Sequence, residues 1–216
     1  MPRSTPAVSA AQFLPDKLNL PALQQAARKC QGCPLWERGT QTVFGEGPPD
    51  ADYVLVGEQP GDKEDRTGHP FVGPAGAMLD RALADAGLDR SRAYVTNAVK
   101  HFKWEPKGKL RIHSKPNRKE IVACHPWLEA EIQVLQPAVI VCLGATAAQS
   151  LLGADFRVTQ HRGELIMQDD GRSYIATVHP SSILRADPET RDEEMRKFIA
   201  DLKQVGRVLL QHKRAA

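Results

Sequence analysis

The sequence predicts a three-layer α/β/α sandwich on a mainly parallel, four-stranded central sheet, and two observations carry that expectation. Four short, β-branched, apolar segments alternate with stretches of helical periodicity along the 216 residues. That order produces parallel sheets with helices on both faces. The four segments are followed by GEQPG (57–61), NAVKH (97–101), GAT (144–146) and HPSS (179–182). Chemistry-bearing residues therefore gather beyond the carboxyl ends of the strands, where such sheets bind ligands.

The strands are expected at YVLVG (53–57), AYVTN (93–97), AVIVCLG (138–144) and SYIATV (173–178), each with the aliphatic run of a buried strand. A short helix is expected in LPALQQAARK, ending at CQGC. GAMLDRALADAG sets Met78, Leu79, Leu83 and Ala86 on one helical face. RKEIVACHPWLEAEIQVL does the same with Ile121, Val122, Leu128, Ile132 and Leu135, and Pro126 is an expected interruption. ATAAQSLLG and the stretch from about Glu189 to Gln211 are two further helices. Residues 1–18 carry Pro and Ser without periodicity and are expected as a flexible arm. Residues 19–216 show no repeat or linker and are expected as one domain.

With 41% hydrophobic and 25% charged residues, the composition excludes wholesale disorder. A net charge of +3 does not by itself imply a nucleic-acid partner, but its distribution is uneven. Between Lys100 and Lys119 stand eight Lys or Arg residues against the single acid Glu105, the footprint of a polyanion site or of a solvated loop. The first residues lack an apolar signal region, and no run approaches the ~18 residues that span a bilayer. A soluble, cytoplasmic protein is expected. Its four cysteines should then be reduced, which favours metal ligation over disulfides.

Within the motifs, residues 57–76 hold five glycines and three prolines, a loop long enough to suggest function. Its glycines permit close approach of backbone to a ligand. Glu58 is a candidate general base or cation stabiliser, or alternatively an ion-pair residue. Phe71 can stack on a flat base or fill the core. Asn97 offers a donor and an acceptor to a nucleobase edge. His179 can donate to a developing oxyanion, or sit as a structural imidazole beside the capping serines Ser181 and Ser182. In KGKLRIHSKP (107–116), His113 places a weak base and nucleophile, capable of neutrality near pH 7, among cations. CQGC, with Cys30 and Cys33, suggests zinc, redox or iron–sulfur chemistry. Cys124 is a possible third ligand, with His101 or His125 as a fourth, while Cys142 lies in an aliphatic strand and reads as core.

Together GEQPG…PFVGPAG, N-A-V-K, GATAA and HPSS, with CQGC, resemble in identity and order the uracil-DNA glycosylase superfamily, specifically its iron–sulfur branch. The resemblance covers roughly residues 25–210. KGKLRIH resembles the inserted basic loop, ending in Arg-Ile-His, of one group within that branch, but carries fewer basic residues. The resemblance implies a monomer that excises uracil from DNA, preferably single-stranded. It implies a 4Fe-4S cluster on Cys30, Cys33, His101 and Cys124, with His101 standing where the ordinary branch has cysteine. Glu58, His113 and His179 would be catalytic; Gly57, Gln59, Phe71 and Asn97 would hold uracil; Lys107, Lys109, Arg111, Ser181 and Arg185 would contact DNA. His113 is expected to attack C1′ of the deoxyribose in place of water, leaving the protein linked to the abasic site. The alternatives are an ordinary glycosylase that turns over and a non-catalytic iron–sulfur module that binds DNA.

Overall fold

The protein is described here by a computed structural model covering residues 9–169 and 171–215. In chain order the regular elements are α1 (Leu20–Ala27), β1 (Tyr53–Gly57), α2 (Asp62–Thr67), α3 (Pro74–Asp85) and β2 (Ala93–Asn97). There follow β3 (Trp104–Lys107), β4 (Leu110–His113), α4 (Arg118–Leu135), β5 (Val139–Leu143) and α5 (Ala145–Leu152). The chain continues through α6 (Val158–His161), β6 (Leu165–Met167), β7 (Ser173–Thr177), α7 (Pro180–Leu184) and α8 (Pro188–Ala215).

The central sheet runs β2-β1-β5-β7-β6. Its first four strands are the expected ones and pair in parallel. A fifth strand corrects the expected four: β6 pairs antiparallel with β7 at the edge. Only three residues long and mostly exposed, it is too short for any alternation to register in the sequence. Successive strand residues face opposite layers, as a two-residue period requires. Tyr53, Leu55, Val139 and Val141 pack with Leu79 and Leu83 of α3 and Phe198 and Leu202 of α8. Val54, Val56, Ile140 and Cys142 face Leu128 and Ile132 of α4 and Ala147 of α5. Cys142 is a core residue, and burial pushes its thiol up to about 12.

Three further corrections bear on the site. The basic segment is not a loop but a two-stranded hairpin, β3–β4, with Trp104 opposite His113 and Pro106 opposite Arg111. α4 runs unbroken through Pro126, which removes one backbone hydrogen bond without ending the helix. It starts at Asn117, whose side chain accepts from the Glu120 N–H while Glu120 accepts from the Asn117 N–H, so both orphan donors are met. Of the expected N-terminal arm, residues 1–8 lie outside the described residues. Beyond them Ala10–Phe13 form a 3₁₀ turn, and Ala10 is fully buried beside Cys30, Cys124 and Trp127. Among the described residues no helix is long and apolar enough to cross a membrane.

Candidate active site

The parallel register levels the strand ends: Gly57 stands opposite Asn97, and Leu143 opposite Thr177. Above them opens a cavity of about 900 Å³. Glu58, Phe71, Asn97, His113 and His179 all line it, as do Ser181 and Arg185 at the start and end of α7. Sequence positions 58 to 185 thus converge on one space, as the crevice rule for parallel sheets requires.

The floor depends on the absence of a side chain at Gly57. A Cβ there would collide with Asn97 Oδ1 and come within 2.7 Å of Phe71 Cζ. Phe71 itself takes a left-handed φ of 56°, a conformation uncommon outside glycine. Gly76 makes room for it, since a Cβ at that position would strike the Phe71 carbonyl. The Phe71 ring then lies near-parallel to His179, with centroids 6.2 Å apart. Glu64 ties the loop together by accepting from the N–H groups of Gly61 (3.1 Å) and Gly73 (2.7 Å).

His179 and Glu58 sit in contrasting electrostatic surroundings. Burial drives the His179 pKa down to about 4, so the ring is neutral at pH 7. Its Nδ1 accepts from the Ser181 backbone N–H at 3.2 Å. The ring proton is therefore on Nε2, where it serves as a neutral donor. Glu58 is the opposite case. Burial acts to raise its pKa, but hydrogen bonds from His113 and Thr146 outweigh it and hold the carboxyl below its ordinary value. His113 Nε2 lies 3.2 Å from Glu58 Oε1, and the Thr146 hydroxyl donates to Oε2. The result is an ionised carboxylate fixed between a hydroxyl and a half-exposed imidazole.

What fixes the imidazole is the hairpin's attachment. Arg111 was expected on DNA, but its side chain is only 14% exposed and turns inward. Its Nε meets Asp62 Oδ1 at 2.5 Å, its Nη1 meets the buried Asp65 Oδ2 at 2.6 Å, and its guanidinium lies over Phe102 and Trp104. Gln59 lines the cavity, yet its side-chain amide is bonded to the hairpin base. Its Nε2 donates to the carbonyls of Lys103 and Ser114, and its Oε1 accepts from the Lys103 N–H. Lys103 in turn pairs with Glu120 at 2.9 Å. Lys107 and Lys109 are exposed at the hairpin's far end and stand apart from the cavity lining. Thr146, Asp62, Asp65 and Lys103 were not singled out from sequence. Thr146 fell inside the GAT motif, but nothing local marked its hydroxyl as a partner of Glu58.

Below the cavity, Lys100 is completely buried. Its Nζ donates to Glu131 Oε2 (2.5 Å), Thr96 Oγ1 (2.6 Å) and the Asn97 carbonyl (2.8 Å). Its backbone N–H donates to Cys124 Sγ at 3.3 Å. Cys124 packs with Cys30, Cys33 and Trp127. Cys30 Sγ accepts from Trp127 Nε1 at 3.2 Å and from the Gly32 N–H at 3.5 Å. Burial raises the Cys33 thiol and pushes that of Cys124 up to about 12. Among the described residues no group of three or more His, Cys, Asp or Glu side chains is arranged to hold a metal ion. His101, held near pKa 4 by burial, has Nε2 3.0 Å from Thr42 Oγ1. The Thr42 hydroxyl gives its one proton to the Ala27 carbonyl, so His101 Nε2 is the donor and Nδ1 keeps its lone pair. His125 instead pairs with Glu129 at 3.4 Å on the surface of α4.

The class is defined by a mainly parallel sheet with a cavity at its strand ends, floored by glycine, walled by Phe and Asn and closed by His. A profile of the uracil DNA glycosylase superfamily matches residues 44–203, and the chain belongs to that superfamily. It is 38% identical over 180 residues to the type-4 uracil-DNA glycosylase of Thermotoga maritima, covering 83% of this chain and 88% of that one. It is 34% identical over 174 residues to the type-4 uracil-DNA glycosylase of Sulfurisphaera tokodaii, covering 77% and 76%. A type-5 uracil-DNA glycosylase of Thermus thermophilus is 34% identical over 173 residues, covering 71% and 74%.

Proposed function

We propose that this protein excises uracil from DNA, preferably single-stranded, and that His113 then captures the sugar to leave a covalent protein–DNA adduct. One observation carries the second half. His113 shares the cavity of Asn97, Phe71 and His179, within hydrogen-bond reach of Glu58. The type-4 relatives support the first half, and the resemblance of KGKLRIH to the corresponding loop of UdgX supports the second.

Cleavage of the bond between uracil N1 and C1′ leaves its electron pair on the base and a cationic sugar behind. Phe71 stacks on the extruded base, and Asn97 pairs with its edge. The neutral His179 donates from Nε2 to the carbonyl where negative charge develops, a donor fixed before the reaction begins. The Glu58 carboxylate stabilises the cation at C1′. A lone pair of the His113 ring then forms the new bond to C1′, and Glu58 takes the imidazolium proton or balances its charge. Ser181 and Arg185 remain at the rim to meet phosphate, while Arg111 acts as a clamp on the hairpin.

Cys30, Cys33 and Cys124, packed together, would hold a 4Fe-4S cluster as thiolates. N–H···S bonds from Trp127, Gly32 and Lys100 are the partners such sulfurs use. His101, whose ring is oriented through Thr42, would supply the fourth ligand. Bound there, the cluster would cross-link the N-terminal segment, α4 and the turn after β2. Iron and acid-labile sulfide content, measured against zinc, tests this assignment. The protein is read as a cytoplasmic monomer.

Incubation with a uracil-containing single strand followed by denaturing electrophoresis is the decisive experiment. Wild type is expected to yield a shifted band that survives denaturation. His113→Ser leaves room for water beside C1′ and is expected to release uracil and turn over. A persistent adduct in that variant would name another nucleophile. Loss of uracil release would make His113 part of bond cleavage. Release by wild type with no adduct would make the protein an ordinary turnover glycosylase.

A further inference from the structure

Beside the main cavity a second groove of about 390 Å³ runs between the first half of α4 and α5. Lys115 and Thr146 line both spaces, so the two meet there. The groove is walled by Ile121 and Val122 on one side and Gln149 and Ser150 on the other. Val122 is 61% exposed, an apolar surface left open next to a polar site. Gln149 Nε2 donates to the Phe156 carbonyl at 3.2 Å, which leaves its Oε1 as an acceptor. Lys115 and Arg118 supply the charge. Among the described residues neither makes a hydrogen bond or ion pair with an acid, unlike Lys100, Lys103 and Arg111 in the same stretch.

We propose that this groove is a subsite for the nucleotide adjoining the uracil in a single strand. The phosphodiester joining the two nucleotides lies where the cavities meet, against Lys115 and Arg118, and the neighbouring base lies on Ile121 and Val122 with Gln149 at its edge. Three features select this occupant. The groove continues the cavity that takes the base, its unpaired charge is positive, and its volume suits a single nucleotide unit rather than a longer segment. A base in the groove cannot be paired, so the subsite itself favours single strands over duplex. The proposal rests on the glycosylase reading of the main cavity.

The test uses three uracil-containing oligonucleotides: one intact, one lacking the base 5′ of the uracil and one lacking the base 3′ of it, each missing base replaced by a tetrahydrofuran spacer. Uracil release is measured in single turnover with protein in excess, giving a half-saturating concentration for each strand. Wild type is expected to bind one spacer strand about tenfold more weakly than the intact strand, and the other equally well. Val122→Glu sets a carboxylate where the base would lie and is expected to weaken the intact strand about tenfold and to erase that difference. Arg118→Gln should reduce the slope of log affinity against log salt by about 0.7, one phosphate contact on a single strand. Leu210→Glu makes the same charge change at an exposed site on α8 and is expected to bind all three strands as wild type does. The proposal is overturned if wild type treats the three strands alike, or if Val122→Glu weakens all three equally. Failure of the glycosylase reading looks different, with no uracil released from any strand. Fluorescence anisotropy on the same strands then decides the subsite by the same two outcomes.

Discussion

Lys100→Met removes a cation from a place where nothing can replace it. The side chains of Lys100 and Glu131 are both at 0% exposure, so water cannot reach the carboxylate once its partner is gone. Breaking a buried pair from one side costs about 3–5 kcal/mol. Glu131 keeps the N–H of Gly45 (3.1 Å), the hydroxyl of Tyr94 (2.9 Å) and that of Thr96 (3.0 Å), which places the loss near the lower end, at about 3 kcal/mol. For a chain of this size each kcal/mol lowers the melting temperature by roughly 2–4 °C, so a fall of roughly 6–12 °C is expected by calorimetry or far-UV circular dichroism. The double change Lys100→Met with Glu131→Gln supplies the control. A glutamine carbonyl still accepts from Gly45 and Tyr94, its amide donates to Thr96 Oγ1, and no charge is left buried. The double variant should therefore melt well above the single one. A single variant within about 2 °C of wild type, or a double variant melting lower still, would refute the reasoning.

The remaining predictions concern the cavity. Gly57→Ala drives a methyl group into Asn97 and Phe71; uracil release should fall about a hundredfold, since displacements near 1 Å carry that penalty, and an unchanged single-turnover rate would count against the geometry. Arg111→Ala frees the hairpin from Asp62 and Asp65; the fraction of product captured as adduct should drop tenfold or more on a denaturing gel, while uracil release continues. His179 has a pKa of about 4 against an ordinary 6.5. Uracil release should accordingly hold steady as pH falls from 7 to about 5 and decline as the ring charges near 4. Because the unfolded ring takes its proton at higher pH than the folded one, His179 also makes stability fall between about pH 6.5 and 4. That slope should be smaller in His179→Asn, and an identical slope would remove the assignment.

The four parallel strands were legible because each is a short aliphatic run ended by glycine or a polar residue, a purely local signal. Their alignment was not: the placing of Gly57 beside Asn97 follows from register. The β3–β4 hairpin was hidden by its own chemistry. Pro106 argues against a strand, and the two-residue turn at Gly108 and Lys109, with φ of 60° at Gly108, sits among lysines that read as a solvated loop. Charge counting overstated the polyanion surface for a related reason. Of the eight cations, Lys100, Lys103 and Arg111 are neutralised by Glu131, Glu120, Asp62 and Asp65. Those acids lie 17 to 49 positions away, and only the fold brings them near. Thr146 was missed likewise, since it is 88 residues from Glu58.

On the proposed mechanism, different parts of the site break the bond and capture its product. Phe71, Asn97 and His179 are carried by the strand ends and the loops that leave them, parts that any sheet of this topology must have. His113 comes from a hairpin inserted between β2 and α4, and it reaches the cavity only through contacts made by other residues. Gln59 grips the hairpin's base, Lys103 ties it to α4, and Arg111 pins β4 to α2. On the proposed mechanism a cationic sugar reacts with whichever nucleophile is already aligned, and alignment is worth many orders of magnitude in effective concentration. The imidazole's advantage over water therefore resides in the clamp as much as in the nitrogen. A histidine at position 113 on an untethered loop would leave an ordinary glycosylase, and a serine on the same clamped hairpin would do so as well.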